Sequence, residues 1–448
     1  MLLHRLRAHW RPTLALALPV AVGQLGVMLM AIVDTAMVAP LGRAAVGGMG
    51  VAMSLVTLAF LFGIGTLLGL DHEVAVAQGA GRDDDVGRFA VQGLWLALLA
   101  SVLITAGLLA VRGHIALLGV APELVAPAST VLSIAAWSLG PALLFIALRQ
   151  ALQATGAVMQ GTVVLLAANV VNLLGNFVLV RGRFGAPALG VAGSATATVI
   201  SRVFMLVALG AWALRARPTW WRHLAPDLPR LRVLLRLGLP AAFQFLFEGG
   251  VFSLATVLAA RLGALPAAAH QVVLQVASFS FMVPLGISAA GAVRVGHALG
   301  RGDREGARLA GWCAVLLGGG FMVLSGVGLT LAWRPVLGIF VLDAGVTELA
   351  RKLLLCAAFF QLFDGLQVTL AGVLRGWGET TPSLIANLLG HWLVGLPIGC
   401  ALAFGLHLGA VGLWMGLAAG LAAVSAALLL RWRSTTGPGP IDERAAGV

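Results

Sequence analysis

Apolar runs of 18 or more residues recur from one end of the chain to the other. A helix needs about 20 apolar residues to cross the hydrocarbon core of a bilayer. The runs lack the alternation over about 10 residues that is typical of outer-membrane barrel strands. The pattern therefore predicts an all-α integral membrane fold with twelve transmembrane helices, near residues 13–38, 46–70, 89–111, 124–147, 160–180, 188–213, 233–260, 267–292, 309–332, 349–373, 383–404 and 408–431.

The composition excludes one large soluble domain. The 448 residues are 60% hydrophobic and 10% charged, with a mean hydropathy of +0.99. Soluble domains carry about 25% charged residues. The net charge of +12 would suggest nucleic acid in a soluble protein. Here the arginines lie in short loops between spans, so we expect a lipid bilayer and no nucleic acid as partner.

The distribution of basic residues predicts the orientation. An even number of spans places both termini on one side of the membrane. Twenty basic residues fall on that side and eight on the other, while Arg202 lies within a span. Cytoplasmic loops carry the excess of Lys and Arg, so both termini are predicted to be cytoplasmic.

The sequence repeats itself at a lag near 220 residues. Four features recur in the same order, among them Leu18-Pro19 with Leu239-Pro240 and Leu41-Gly42 with Leu262-Gly263. Two six-helix halves with a central site between them are typical of transporters built from repeats. We therefore predict an N-lobe (1–213), a cytoplasmic linker (214–232), a C-lobe (233–432) and a disordered cytoplasmic tail (433–448).

Three acidic residues lie well inside predicted spans: Asp34, Glu248 and Asp364. A charged side chain there costs about 2.5–3.5 kcal/mol on insertion scales. No basic residue lies one helical turn away to offset that cost. Such carboxylates usually face a bundle interior or an aqueous cavity, where they bind ions, protons or substrate. The alternative is a neutral acid with a structural hydrogen bond.

Polar side chains accompany two of these acids. Gln361, Asp364 and Gln367 recur every three residues and form one stripe on the tenth helix, and Gln244 precedes Glu248 by one turn. We therefore assign the three glutamines to the accessory part of a cation or substrate site.

Three asparagines share one face of the fifth span: Asn169, Asn172 and Asn176. Amides on membrane helices can bind neighbouring helices through hydrogen bonds. They can equally supply oxygens to a cation together with Asp34. The stripe alone leaves both interpretations open.

The remaining polar motifs favour simple explanations. Asp83-Asp84-Asp85 is interpreted as a hydrated cytoplasmic loop, and Asp71 and Glu73 as residues at the membrane interface. The three cysteines occupy separate spans and are interpreted as free thiols. The sequence has no P-loop and no HExxH motif, so we expect neither ATP hydrolysis nor catalytic residues.

Several segments in order resemble the multidrug and toxic compound extrusion (MATE) transporters, in their bacterial NorM-like branch. The resemblance covers about residues 12–432. Its segments are LPVAVGQLGVMLMAIVDTAMVAPLG, VAVAQGAGR, LPAAFQFLFEGGVFSLATVLAARLGALPAAAHQV, VRVGHALGRGD and GVLRGWGETTPSLIANLLGHWLVGLPIG.

The resemblance implies a V-shaped bundle of two six-helix lobes. We expect the protein to lie in the bacterial inner membrane and to be a monomer. The resemblance further implies an antiporter that exchanges Na+ or H+ for small organic cations and needs no other cofactor. The family's cation-binding Glu and Asp, where Na+ would bind, correspond to Glu248 and Asp364. Its first-helix Asp corresponds to Asp34.

The resemblance also assigns accessory positions in the N-lobe. These fall on Asn172, Asn176 and Thr198, which favours a functional asparagine stripe. Asn176 stands where many relatives carry Asp, which removes one charge from this site.

Three alternatives were weighed. A flippase of lipid-linked sugars is expected to carry rows of basic residues in its cavity, whereas only Arg202 is predicted inside the membrane. A membrane-embedded transferase would want paired acidic motifs or a His/Asp cluster, and neither is present. A twelve-span transporter of the major facilitator type would want an Asp-Arg loop signature that GRDDDVGR does not match.

Overall fold

The computed structural model describes residues 2–119, 121–340 and 343–437. Within them, twelve helices are long and apolar enough to cross a membrane, which confirms the predicted all-α fold. They are α1 (His9–Leu41), α2 (Arg43–Gly79), α3 (Asp83–Arg112), α4 (Pro122–Ala154), α5 (Met159–Leu179), α6 (Val191–Ala216), α7 (Leu228–Arg261), α8 (Ala264–Gly300), α9 (Arg304–Leu331), α10 (Ala344–Gly376), α11 (Thr381–Gly405) and α12 (Gly409–Thr436).

Four of these helices change their hydrogen-bond pattern along their length. α1 ends in a 3₁₀ turn at Ala39–Leu41. α2 consists of Arg43–Leu67 and Gly69–Gly79 with a turn between them, where the Leu68 N–H donates to the Gly65 carbonyl at 3.1 Å. α4 contains a 3₁₀ turn at Ala136–Ser138, and α11 contains a π-helical segment at Leu388–Gly395. Local 3₁₀ and π adjustments keep backbone groups satisfied where no water can reach them.

The repeated Leu-Gly pairs occupy matching turns in the two halves. Gly42 precedes α2 with φ 102°, and Gly263 precedes α8 with φ 122°. L side chains rarely adopt positive φ, so glycine is the residue that both turns require. The two halves therefore use one turn design between their first and second helices.

The halves meet mainly through the pairs α1 with α8 and α2 with α7 and α8. Where α2 and α8 end, the two backbones touch. A Cβ on Gly79 would collide with the His297 carbonyl, and a Cβ on Gly300 would collide with the Val76 carbonyl. Close approach of two helix backbones in a membrane requires small residues at the contact. This Gly79–Gly300 contact leaves no room for a side chain between the halves.

Each half also has a buried apolar core, and the outer faces are apolar too. In the N-lobe a buried cluster includes Val56 and Leu132, and in the C-lobe another includes Phe360 and Trp414. Many large apolar side chains are exposed on the surface, including Leu103, which is 73% exposed. Exposed apolar surface on this scale is typical of helices that face lipid.

The predicted linker is fastened to the N-lobe. α6 ends at Ala216 and α7 begins at Leu228. The Gln92 side chain of α3 donates to the Ala225 carbonyl at 3.0 Å and accepts from the Asp227 N–H at 2.8 Å. Trp95 of α3 donates to the Leu224 carbonyl at 2.8 Å. These contacts attach to α3 a linker whose residues 222–226 are exposed.

The acidic triplet is part of the same attachment. Asp83-Asp84-Asp85 forms the first turn of α3, where negative charge stabilises a helix, and not a loop. The Asp84 carboxylate contacts His223 at 3.1 Å, and the Asp85 carboxylate contacts Arg230 Nη2 at 2.8 Å. The triplet therefore connects α3 to the middle of the linker at His223 and to the first turn of α7 at Arg230.

The last helix extends beyond its predicted end. α12 continues to Thr436, and Arg431 makes two hydrogen bonds of 2.7 Å to the Glu379 carboxylate. The start of the predicted tail is thus helical. Its remainder, 438–448, lies outside the described residues.

Candidate functional site

A cavity of about 440 Å³ lies between the two halves. Drug-sized ligands occupy pockets of about 300–1,000 Å³. Residues of α1, α2, α4, α7, α8 and α10 line this cavity. Its apolar wall includes aromatic rings and a thioether, which pack adaptably against varied ligands, from Phe245, Phe252, Phe281, Met282 and Phe360.

Two of the three predicted acids lie in this central cavity. Glu248 of α7 and Asp364 of α10 both line it. Gln367 Nε2 donates to Glu248 Oε2 at 3.3 Å, and Gln244 also interacts with that carboxylate. The described residues donate no hydrogen bond to Asp364, whose charge is repelled by that of Glu248. Neither carboxylate has a basic partner among the described residues.

The predicted glutamine stripe divides into two parts. Gln367 lines the cavity and also donates to Asn387 Oδ1 at 3.2 Å. Gln361 is fully buried, does not line the cavity, and neither of its amide atoms has a partner. A spacing of three residues drifts around a helix of 3.6 residues per turn, so the end of such a stripe leaves the common face.

The third acid, Asp34, lies in a separate site inside the N-lobe. Its Oδ1 accepts from Asn172 Nδ2 at 3.0 Å and from Asn176 Nδ2 at 2.7 Å, and its Oδ2 accepts from Thr198 Oγ1 at 2.9 Å. Asp34 is 4% exposed. The structure thus brings together the four N-lobe positions. Asn169 is not among them, because its amide donates to the Leu165 carbonyl of its own helix.

Arg202 interacts electrostatically with Asp34, a pairing that the sequence did not indicate. It lies one turn after Thr198, and the two line a small cavity with Asp34. Arg202 Nη1 donates to Ser138 Oγ at 2.6 Å, and its guanidinium lies 5.1 Å from the Phe60 ring centre. The N-lobe carboxylate therefore has a built-in cation, which Glu248 and Asp364 lack.

Sequence reasoning missed an ion pair between the halves. Arg375 Nε of α10 lies 3.1 Å from Asp71 Oδ2 of α2. The interpretation of Asp71 as an interfacial residue was wrong, because its side chain is 2% exposed and faces the central cavity. Asp71 also interacts electrostatically with Arg149 of α4.

Arg149 and Arg375 were both assigned to cytoplasmic loops, and both instead line the cavity. The predicted fourth span ended at 147 and the tenth at 373, whereas α4 continues to Ala154 and α10 to Gly376. Helices that extend beyond the apolar stretch carry such residues inside the bundle. Without these two arginines the basic residues still divide eighteen against eight.

Comparison with known sequences identifies relatives. The MatE family profile matches residues 19–178 and 240–400, once in each predicted lobe. A probable multidrug resistance protein NorM of Mesorhizobium japonicum is 37% identical over 441 residues, which cover 95% of this chain and 94% of that protein. A protein of the same name from Xanthomonas campestris is 36% identical over 439 residues, or 96% and 95% of the two chains.

Solved structures share the fold at lower identity. The eukaryotic MATE transporter AtDTX14 superimposes with a TM-score of 0.86 at 21% identity, over 96% of this chain and 98% of that one. An outward-facing multidrug resistance MATE family transporter of the MOP superfamily gives 0.88 at 19% identity, over 95% of each chain. The twelve-helix architecture is therefore that of these transporters.

Proposed function

This chain belongs to the MatE family of membrane transporters, and we propose that it is a secondary active antiporter of the bacterial inner membrane. It exports amphipathic organic cations, including drugs, in exchange for Na+ or H+. The relatives named as multidrug resistance proteins support export of varied compounds. As a transporter the protein is not an enzyme. Both termini are cytoplasmic, and the protein acts as a monomer.

One observation carries the proposal. Glu248 and Asp364 share a cavity of drug size, and neither has a basic partner in the described part of the chain. Two carboxylates in one low-dielectric site repel each other, so the site gains from binding a cation. A cationic substrate and a coupling ion can therefore compete for the same charges.

The oxygen donors suit Na+ or H+. Carboxylate and amide oxygens surround the site, and no group of three or more His, Cys, Asp or Glu capable of holding a metal occurs in the described ranges. The unpartnered Gln367 Oε1 is one further oxygen near Glu248. A hard monovalent cation can use these ligands, and so can a proton on either carboxylate.

Exchange requires that the ion and the drug favour different packings of the two halves. A ligand shifts a conformational equilibrium only through its differential affinity for the two states. An ion on Glu248 and Asp364 removes their repulsion and favours one packing. A drug that prefers the other packing is then exported as the ion enters.

The flippase alternative changes with the structure but is not favoured. The sequence disfavoured a flippase because only Arg202 was predicted inside the membrane. The central cavity, however, is lined by two other arginines, Arg149 and Arg375. Three acids line the same cavity, namely Asp71, Glu248 and Asp364. The formal charge of the lining is therefore −1, which disfavours a polyanionic pyrophosphate.

The test uses purified protein in proteoliposomes loaded with ethidium, under a Na+ gradient or a pH gradient imposed separately. We expect one of the two gradients to accelerate ethidium movement against its own gradient. Equal rates with and without either gradient would contradict the antiporter. Stimulation by a lipid-linked pyrophosphate in place of ethidium would support the flippase.

A further inference from the structure

The charges of the central cavity are arranged in two groups. Apart from the Asp71–Arg375 ion pair, the C-lobe wall carries the acceptors Glu248 and Asp364, and the N-lobe wall carries Arg149 on α4. We infer that Arg149 binds the carboxylate of zwitterionic substrates, so that the cavity discriminates molecules with an acid and an amine at opposite ends from molecules with an amine alone. This inference rests on the proposed function of the same cavity.

The Arg149 guanidinium interacts with Asp71 only at longer range, without direct contact. It makes no hydrogen bond or ion pair with any residue in the described ranges, and its Nε is buried without an acceptor. The stem packs against Gly161 of α5, and Nη1 lies 3.8 Å from the position that a Cβ on Gly23 of α1 would occupy. A buried cation without a hydrogen-bond acceptor is costly, so an anionic ligand that accepts from it would recover free energy here.

Asp71 does not neutralise this end of the cavity. Its Oδ2 is paired with Arg375 Nε at 3.1 Å. Two guanidinium groups therefore share one carboxylate, which leaves one positive charge in excess. That excess matches a carboxylate, with a charge of −1, better than a phosphate monoester of about −1.5 to −2.

The neighbours of Arg149 can complete an anion site. Gln24 of α1 and Gln150 and Gln153 of α4 also line the N-lobe side of the cavity. Each amide offers two N–H donors. A guanidinium binds a carboxylate through two parallel hydrogen bonds, and an ammonium cannot copy that geometry. The N-lobe side of the cavity thus offers donors and the C-lobe side offers acceptors, and the aromatic side chains of the C-lobe lining suit a ring system.

The inference predicts a ratio of affinities. The probes are ciprofloxacin, which has a carboxylate and an amine, and its methyl ester, which keeps only the amine. Their Kd values are measured by calorimetry on the full-length protein in detergent. We expect wild type to bind the acid more tightly than the ester, and Arg149→Gln to reduce that preference about tenfold or more, because the charge-assisted hydrogen bonds to the carboxylate are lost.

Two controls separate this role from a structural one. Arg149→Lys keeps the positive charge but loses the planar guanidinium that makes two parallel hydrogen bonds, so it should retain part of the preference for the acid. Arg112→Gln removes an exposed charge and should leave that preference unchanged. An unchanged preference in Arg149→Gln, or wild-type protein that binds the ester as tightly as the acid, would overturn the inference. Failure of wild type to bind ethidium would instead count against the proposed function.

Discussion

Arg375 of the C-lobe and Asp71 of the N-lobe form an ion pair across the interface between the halves, with Nε and Oδ2 separated by 3.1 Å. The side chains are 11% and 2% exposed. Nearby, His72 Nδ1 lies 2.9 Å from the Gly376 carbonyl, a second polar contact between the same two helices. This pair exists only while α2 and α10 are together, so it should stabilise that packing over one in which the halves separate here.

Asp71→Asn should therefore shift the equilibrium away from this packing. Removing one partner of a buried pair costs about 3–5 kcal/mol, because the other charge is left uncompensated. Spin labels at positions 82 and 301 would report the separation of α2 and α8 by pulsed electron spin resonance. We expect a longer distance to gain population in the variant.

Two comparisons make this prediction specific. Adding Arg375→Gln to Asp71→Asn should partly restore the short distance between the two spin labels, because no charge of the former pair is then left buried without its partner. Arg88→Gln breaks an exposed pair with Asp84, which is worth about 0–1 kcal/mol, and should leave the distribution unchanged. Identical distributions in wild type and Asp71→Asn would mean that the pair does not hold the halves together.

Glu248→Gln and Asp364→Asn should abolish the response of efflux to an ion gradient. Each substitution is nearly isosteric and removes the ability to ionise. Efflux should then be equal with and without the gradient, because the coupling between ion and drug, which typically changes affinity roughly 5–150-fold, is lost. Glu348→Gln, which removes a carboxylate that is 53% exposed, is the matched control and should transport normally. Full coupling in the double variant would exclude the C-lobe site.

Asp34→Asn should affect stability more than coupling. Its carboxylate accepts three hydrogen bonds and has Arg202 as counter-charge, so an amide leaves donors and a guanidinium without their acceptor. We expect a fall in Tm in detergent and a smaller transport defect than in the Glu248→Gln, Asp364→Asn double variant. Asn169→Ala, on the same helix as Asn172, should change Tm little. An unchanged Tm with lost transport would move coupling to the N-lobe.

The orientation is testable by labelling single cysteines in right-side-out cells, after replacement of the three native cysteines. Position 43, at the start of α2, should react with an impermeant maleimide, and position 304, at the start of α9, should not. The cysteine is placed at position 304 and not at the neighbouring position 303, because the Asp303 side chain caps α9 by accepting from the Gly306 N–H at 2.7 Å. Reaction of position 304 from outside would reverse the orientation.

The number of helices was predictable because hydrophobic thickness fixes the length of each apolar run. The helix ends were not, because a helix can continue past the apolar run whenever its polar residues face protein. Arg149 was not predicted to line the cavity, because α4 extends seven residues beyond its predicted end at 147. Asp71 was placed at the membrane interface because the second span was predicted to end at residue 70, whereas α2 continues to Gly79.

The two sites differed in how far sequence reasoning could assemble them. Asp34, Asn172 and Thr198 lie on three different helices, and the family resemblance, not any local pattern, placed them together. Glu248 and Asp364 were identifiable singly, because a carboxylate in an apolar run is costly. The pairing of Arg202 with Asp34 had no sequence signal, since it depends on how α1 packs against α6.

The attachment of the linker to α3 determines how the halves can rotate. Because Gln92 binds the Asp227 N–H and α7 begins at Leu228, no slack separates the last fastened residue from the first helix of the C-lobe. The connection is then a pivot and not a tether. When the C-lobe rotates about Asp227, each atom moves by an amount that grows with its distance from Asp227. The helix ends far from Asp227 therefore have the largest displacement when the transporter changes state.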